Sequence, residues 1–335
     1  MPGLPSAAKS LLKHVLERNV VSEQLRRNQR TLSGDQEAIL KAALTTHYFS
    51  DLRYYPDPPE SYLASSAGAR DLSDHLTNRL LVFRSTIVPW IDSVVPLKDA
   101  RILEIGCGTG ASTVAMAEQG AKIVGVDESE GALRVARTRC ELHGVEAKFV
   151  QANAVDLEKA TDQEEFEAVI FFAVLEHMTW EERCASLQAA WRILRSGQHL
   201  IVIETPNRLW HTDYHTTDTP FFHWLPDEIA FAYSRFTKRA TYNEIFRERS
   251  DEALVRFARW GRGVSYHDFV LSLNIPEDCL PVDSYLRLFL QKQRLGGSLL
   301  RYSQRQRDED RLQRIAPNIH PGFLCADLDL AMRKP

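Results

Sequence analysis

The stretch LEIGCGTGAS, residues 103–112, decides the fold, because it couples a short apolar run to a glycine turn and then to small residues that can open a helix. Gly106, Gly108 and Gly110 let the backbone turn tightly and let a ligand approach the helix N-terminus with no Cβ in the way. Apolar, β-branched runs of the same kind recur downstream: AKIVGVD (121–127), AKFVQAN (147–153), FEAVIFFAV (166–174) and QHLIVIET (198–205). Helical stretches separate them, among them ESEGALRVARTRCELHG (128–144) and EERCASLQAAWRILRSG (181–197). Strands alternating with helices at this spacing mean βαβ units. Two further runs, GVSYHDFVLSL (263–273) and GFLCADLDLAMRK (322–334), are read as additional strands. The expected fold class is therefore α/β, a doubly wound, Rossmann-like, seven-stranded and mostly parallel sheet.

Upstream of residue 97 the pattern is helical. Leu72, Leu76, Leu80, Phe83 and Ile87 fall on one helical face, as do Ile39, Leu40, Ala43 and Leu44, and Leu11, Leu12, Val15 and Leu16. The stretch 54–70 carries three prolines and several small residues, and reads as an irregular loop. Residues 1–96 are thus expected to form a helical N-terminal cap or lid. Residues 97–335 are expected to form the core, with helical substrate-binding insertions after strands five and six, at 206–261 and 274–320. These segments are too long for plain loops.

Bulk composition narrows the function classes. The chain has 335 residues and a formal charge of −4, and phosphate binders usually show a basic surplus instead. Five cysteines form no C-x-x-C pair, so we expect free thiols in a reducing cytoplasm. No apolar run approaches the ~20 residues that span a bilayer. Expected partners are therefore a small-molecule substrate, with neither nucleic acid nor membrane; a homodimer is allowed.

The glycine turn alone leaves two enzymes open. Gly106, Gly108 and Ala111 also fit the dinucleotide fingerprint, with Asp127 as the ribose acid of a nicotinamide oxidoreductase. Glu104, two residues before Gly106, separates the readings: it would repel a pyrophosphate but suits a cationic amino group. Together with Asp127, the NAVDL segment after strand three, VLEHM (174–178) and LRSG (194–197), the turn resembles that of class I S-adenosylmethionine-dependent methyltransferases, ubiquinone-methyltransferase-like in the core. The resemblance covers about residues 97–206. It implies S-adenosyl-L-methionine as cofactor, with Glu104, Gly106, Cys107, Gly108 and Gly110 around the methionine part. Asp127 would take the ribose hydroxyls and Asn153 with Ala154 would frame the adenine; Glu128 and Phe172 are further cofactor-binding candidates. Asn153 replaces the usual acid by its amide, whose oxygen can still accept from the adenine amine. A binding module that has lost its chemistry is the non-enzymatic alternative, since fold alone does not exclude it.

The acceptor end is read from HTDYHTTDTPFFHW, residues 211–224, which holds three of the eleven histidines. Strand five ends just before it, so the stretch should hang over the strand ends, where ligands of doubly wound sheets lie. Eight aromatics between 206 and 236 suit an apolar pocket. Methyl transfer from a sulfonium needs alignment and, for a hydroxyl acceptor, a base. His215 is the expected base, His177 the second candidate, with His211 and Asp213 completing an H-x-D-x-H run and Asp213 orienting a neighbouring imidazole. His223 and His199 are expected to be structural. Relatives in ubiquinone synthesis and small-RNA end methylation carry E-x-x-E-H at the LEH position, and in the RNA enzymes it binds magnesium. Here Ala173 stands for the first acid, leaving Glu176 and His177, and no metal is expected. The string ETPNRLW…H…PFFHWLP resembles bacterial enzymes acting on secondary metabolites or sugars, which implies O-methylation first and N-methylation second.

Overall fold

The structure is a computed structural model that describes residues 29–51, 59–157, 161, 165–237, 239, 247–275, 282–294, 304–317 and 324–335. Its centre is a seven-stranded sheet in the order β3-β2-β1-β4-β5-β7-β6. The strands are β1 (Arg101–Ile105), β2 (Lys122–Asp127), β3 (Ala147–Gln151), β4 (Ala168–Phe172), β5 (His199–Pro206), β6 (Val282–Tyr285) and β7 (Asp327–Arg333). The first five run parallel, and β7 is antiparallel to both β5 and β6. The order reverses between β1 and β4, so a crevice opens at their carboxyl ends, the usual ligand position in such sheets.

Both faces of the sheet are covered. On one face Ile102, Ile123, Ile170 and Ile201 pack with Val114 and Met116 of α2 (Ala111–Ala117) and with Phe83, Trp90 and Ile91 of the cap. Leu103, Val124, Phe171, Leu200 and Val202 pack on the other, against Leu187 and Ala190 of α4 (Trp180–Ile193). Successive strand residues thus alternate between two apolar layers, which is why these runs read as continuously hydrophobic. Between them α3 (Glu130–His143) follows β2, capped by Ser129 at its start and by left-handed Gly144 at its end.

Two segments differ from the sequence reading. The stretch 263–273, expected as a strand, forms α7 (Tyr266–Leu273). Ser265 donates its hydroxyl to Asp268 at the helix start, Asn274 closes it in the left-handed conformation, and Tyr266, Phe269 and Val270 bury one helical face. The sixth strand is instead Val282–Tyr285, inside the stretch expected to be helical. Helical insertions still follow β5 and β6, with shifted boundaries: α5 (Asp227–Tyr233), α6 (Asp251–Arg259) and α7 precede β6, and α8 (Leu286–Arg294) and α9 (Gln304–Ile315) follow it.

Among the described residues the cap opens with α1 (Gly34–Ala43), started by a Ser33–Gln36 capping box. The stretch 54–70, expected as an irregular loop, is helical over Pro59–Ala64 and again from Ser66, apart from 54–58, which lie outside the described residues. A continuous helical run over 66–94 contains π turns at Asp74–Asn78 and Phe83–Ile87. The apolar face read at 11–16 also lies outside the described residues.

Candidate active site

One cavity of about 980 Å³ lies over the crevice, near the upper end of the ~300–1,000 Å³ common for ligand sites. At one end it is floored by Gly106, Cys107 and Gly108 and walled by Asp127, Glu128, Asn153, Ala154 and Phe172; at the other it reaches His177 and His215. The residues read from the sequence as cofactor and acceptor groups thus share one space. Glu104, Gly110, His211 and Asp213 do not line it.

The glycine loop is clipped from beneath. Asp127 ends β2, and its two carboxylate oxygens accept from the Gly108 amide at 2.8 Å and the Ser129 amide at 2.9 Å. Gly108 has a φ of +49°, and the position of its missing Cβ faces open space, so the backbone conformation selects glycine here. Burial raises the Asp127 pKa, and the two amides work against that shift. The carboxylate remains in the cavity wall, a charge-assisted acceptor for a vicinal diol. The Asn153 side-chain oxygen accepts from the Val155 amide at 3.1 Å and caps a short 3-10 turn. That oxygen, expected on the adenine amine, is therefore shared with the backbone.

Glu104 is wholly buried beneath the loop. Its carboxylate accepts from the hydroxyls of Ser112 and Thr113 on α2. Ser112 stands between it and the cavity wall, so direct contact with a ligand amino group, expected from the sequence, is replaced by a role in fixing the helix that follows the loop. Burial pushes its pKa up to about 7 against the opposing hydroxyls.

The cap supplies a wall that sequence reading missed: Tyr48, Tyr62, Arg70, Asp71, His75 and Arg79. His75 is buried, stacks at 4.6 Å on Tyr48, and meets the Thr109 hydroxyl of the glycine loop at 3.3 Å. Asp71, His75 and Arg79 follow one another at four-residue steps beside the apolar stripe, a signal visible in the sequence but indistinguishable there from a solvated face.

At the acceptor end the H-x-D-x-H run comes apart. Asp213 is buried at the centre of a turn, accepting from the amides of His215 (2.9 Å) and Thr216 (2.8 Å) and from the Thr217 hydroxyl (2.8 Å). The imidazole beside it is that of His223, with Nε2 at 3.2 Å. Although burial raises it, His223 and the turn amides hold the Asp213 pKa well below the carboxylate range. His211 stacks on Trp210 and contacts Thr212, away from the cavity. The turn swings His215 alone inward, and Arg239 fixes it by donating to the Tyr214 and His215 carbonyls.

There His215 meets the residues after β4. Its Nε2 lies 3.9 Å from Glu176 Oε1, and His177 Nε2 lies 3.8 Å from the same oxygen. Burial, reinforced by His177, lowers the His215 pKa to about 4, so the ring is uncharged at neutral pH. Burial also raises the pKa of Glu176. Glu204 and Arg259 line the same end, the latter paired with Glu182 at 2.7 and 2.9 Å. Ala173 and Glu204 both hold positive φ, +44° and +56°, at the adjoining ends of β4 and β5, the kind of local strain that gathers at functional sites. Glu176 was legible from the LEH segment, whereas Glu204, Arg239, Arg259 and Gly261 had no distinguishing sequence signal as a group, because they come from separate segments.

The sheet order, the antiparallel seventh strand and a glycine loop over a clipped Asp127 define a class of protein. The chain carries a class I S-adenosylmethionine-dependent methyltransferase domain, and residues 102–197 match the family model described as a methyltransferase domain. Among curated proteins it is similar to the ubiquinone biosynthesis O-methyltransferase of Ruegeria sp. (strain TM1040), 37% identical over 113 residues, 34% of this chain and 44% of that one. The enzyme of the same description from Pseudomonas entomophila (strain L48) is 32% identical over 121 residues, 36% of this chain and 50% of that one. The chain thus spans about half the length of these relatives, or less. A solved structure of magnesium protoporphyrin IX methyltransferase from Synechocystis PCC 6803 with bound S-adenosylmethionine aligns over 53% of this chain and 80% of that one, at 20% identity and a TM-score of 0.37. The cofactor of this domain class is S-adenosylmethionine, and the loop fits it: open space at Gly108, a diol acceptor in Asp127 and an apolar wall at Ala154 and Phe172.

Proposed function

We propose that the chain transfers a methyl group from S-adenosylmethionine to a hydroxyl of a small molecule bound between the strand ends and the insertion that follows β5. The observation that carries this reading is the continuity of the cavity from Gly106–Gly108 and Asp127 to His177 and His215. Bound there, the cofactor would supply an electrophilic methyl carbon on a sulfonium sulfur.

This chain's residues do the rest. The glycine loop and Asp127 hold the donor in line, Phe172 and the cap wall exclude water, and the acceptor proton leaves at the histidine cluster. His215 is the group proposed to receive it, through Nε2, with His177 beside it. The enclosing, aromatic insertion favours a small acceptor over a macromolecule.

Calorimetry and transfer from labelled cofactor test the reading together. Asp127→Ala should weaken S-adenosylmethionine binding by roughly 2 kcal/mol or more, through loss of a charge-assisted acceptor. His215→Ala should slow turnover by about 10²- to 10⁴-fold with cofactor affinity unchanged, the usual contribution of a general base. Wild-type protein that binds no S-adenosylmethionine would overturn the proposal. Turnover indifferent to both His177 and His215 substitutions would move the acceptor to an amine or carboxylate, which needs no base.

A further inference from the structure

Arg139 stands in the second half of α3, wholly buried, and among the described residues no carboxylate pairs with it. Burial lowers its pKa to about 10, so the guanidinium stays charged at neutral pH. A buried charge without a counter-ion is costly unless hydrogen bonds satisfy it. Here all three nitrogens donate to main-chain carbonyls: Nε to Thr109 at 2.8 Å, Nη2 to His75 at 2.6 Å and Nη1 to Leu76 at 3.4 Å.

Those carbonyls belong to two different parts of the cavity. Thr109 lies between Gly108 and Gly110 in the glycine loop and lines the cavity. The peptide joining it to Gly110 is fixed at both polar ends, its carbonyl by Arg139 and its amide by the Cys107 carbonyl at 2.9 Å. The loop also rests directly on α3, where a Cβ at Gly110 would stand 2.8 Å from the Ala136 Cβ. His75 and Leu76 sit in the π turn Asp74–Asn78 of the cap, whose wider spacing departs from the regular helical ladder and recurs at functional sites. The two parts touch a second time, through the His75 ring and the Thr109 hydroxyl.

We propose that Arg139 is a positioning residue for the cofactor, joining the glycine loop to the cap's π turn so that loop and cap wall seat on S-adenosylmethionine as one unit. The planar fork suits this task because its donors hold several acceptors at fixed angles, whereas a lysine ammonium is a point charge on a flexible stem. Arg139 itself does not line the cavity, so it acts through Thr109 and His75, which do. The coupling is reciprocal: a cofactor on the loop favours the seated cap by the factor with which the seated cap favours the cofactor. It rests on cofactor binding and is independent of which acceptor group receives the methyl.

Amide hydrogen exchange on the full-length protein, with and without saturating S-adenosylhomocysteine, tests this beside calorimetry and thermal unfolding. In wild type the ligand should slow exchange across residues 66–79 by about tenfold or more. Arg139→Met, which keeps an apolar stem, should lose that protection at saturation while the β1 and β2 amides stay protected. Its S-adenosylmethionine affinity should fall by about tenfold or more. Arg139→Lys should recover part of both, and it carries the test if the Arg139→Met chain does not fold. A folded variant that melts lower but keeps wild-type affinity and unchanged cap protection would reduce Arg139 to a brace and overturn the proposal. Wild-type protein that binds S-adenosylhomocysteine with its cap amides indifferent to it would do the same, leaving methyl transfer standing. Full coupling without labelled transfer to any hydroxyl acceptor would support the proposal and overturn the hydroxyl reading alone.

Discussion

Glu104 shows how a motif residue can be read correctly in position and incorrectly in contact. Its spacing from Gly106 marked the loop, yet its carboxylate turns to Ser112 and Thr113 instead of the cavity. Spacing reports the strand and the turn; which way a buried side chain leaves the sheet depends on what α2 offers it. Asp213 and His215 repeat the lesson, because an irregular turn has no period from which side-chain direction can be read. Burial raises the Glu104 pKa to about 7, above the ~4.3 of an unfolded chain, so its contribution to stability is present below the unfolded value and is lost as pH rises through 7. Glu104→Gln keeps an acceptor and removes the titration. The stability of wild type relative to this variant should therefore fall by roughly 3 kcal/mol between pH 4 and pH 8.5, as measured by urea denaturation. Parallel pH dependences in the two proteins would show that Glu104 ionises as freely in the folded state as in the unfolded one.

At the scale of elements, the five parallel strands were legible because each is buried on both sides and reads as an apolar run. The sixth was not: Val282–Tyr285 is a four-residue edge strand with a half-buried pattern, while YHDFVLSL is apolar enough to pass for a strand. Ser265 at the N-cap position, its hydroxyl donating to the Asp268 carboxylate, is the local signal that favours α7. The turn carrying His215 is held to the loop before α7 through His223, which is 2% exposed. His223 Nδ1 accepts from the Gly263 amide at 3.0 Å, and its Nε2 faces Asp213 at 3.2 Å. Removing the ring leaves the buried Gly263 amide without its acceptor and takes one of several partners from Asp213. His223→Ala should cost about 2 kcal/mol or more in thermal or urea unfolding, with S-adenosylmethionine affinity intact, because the glycine loop and Asp127 belong to other elements. Equal losses of stability and cofactor affinity would mean that the insertion and the cofactor floor are one cooperative unit.

Across the whole molecule, the cap divides into two parts with different physical roles. Leu80, Phe83, Ile87, Trp90 and Ile91 belong to the main apolar layer, Trp90 donates to the Ser284 hydroxyl at 2.9 Å, and Arg84 pairs with buried Glu118. This part is core in all but sequence position. Leu40, Leu44, Phe49 and Tyr62 form a separate cluster with Val135 of α3, packed against Leu72, Leu76 and Leu142. From that cluster Tyr48, Tyr62 and Arg70 reach the cavity wall, and the helices around them form a docked wall where the sequence suggested a loose loop. Deleting residues 1–70 should therefore leave the sheet and the 79–94 helix folded, by circular dichroism and a cooperative melt, since their apolar layer is untouched. Cofactor affinity should fall by about tenfold or more, because one side of the donor's enclosure and the stacking partner of His75 are removed. Turnover should fall further, as water enters beside the reacting carbon. A truncated chain that folds, binds S-adenosylmethionine as tightly as the full chain and turns over normally would leave the first seventy residues no part in the site, and would assign the enclosure of the cofactor to the 71–94 helix and the insertion alone.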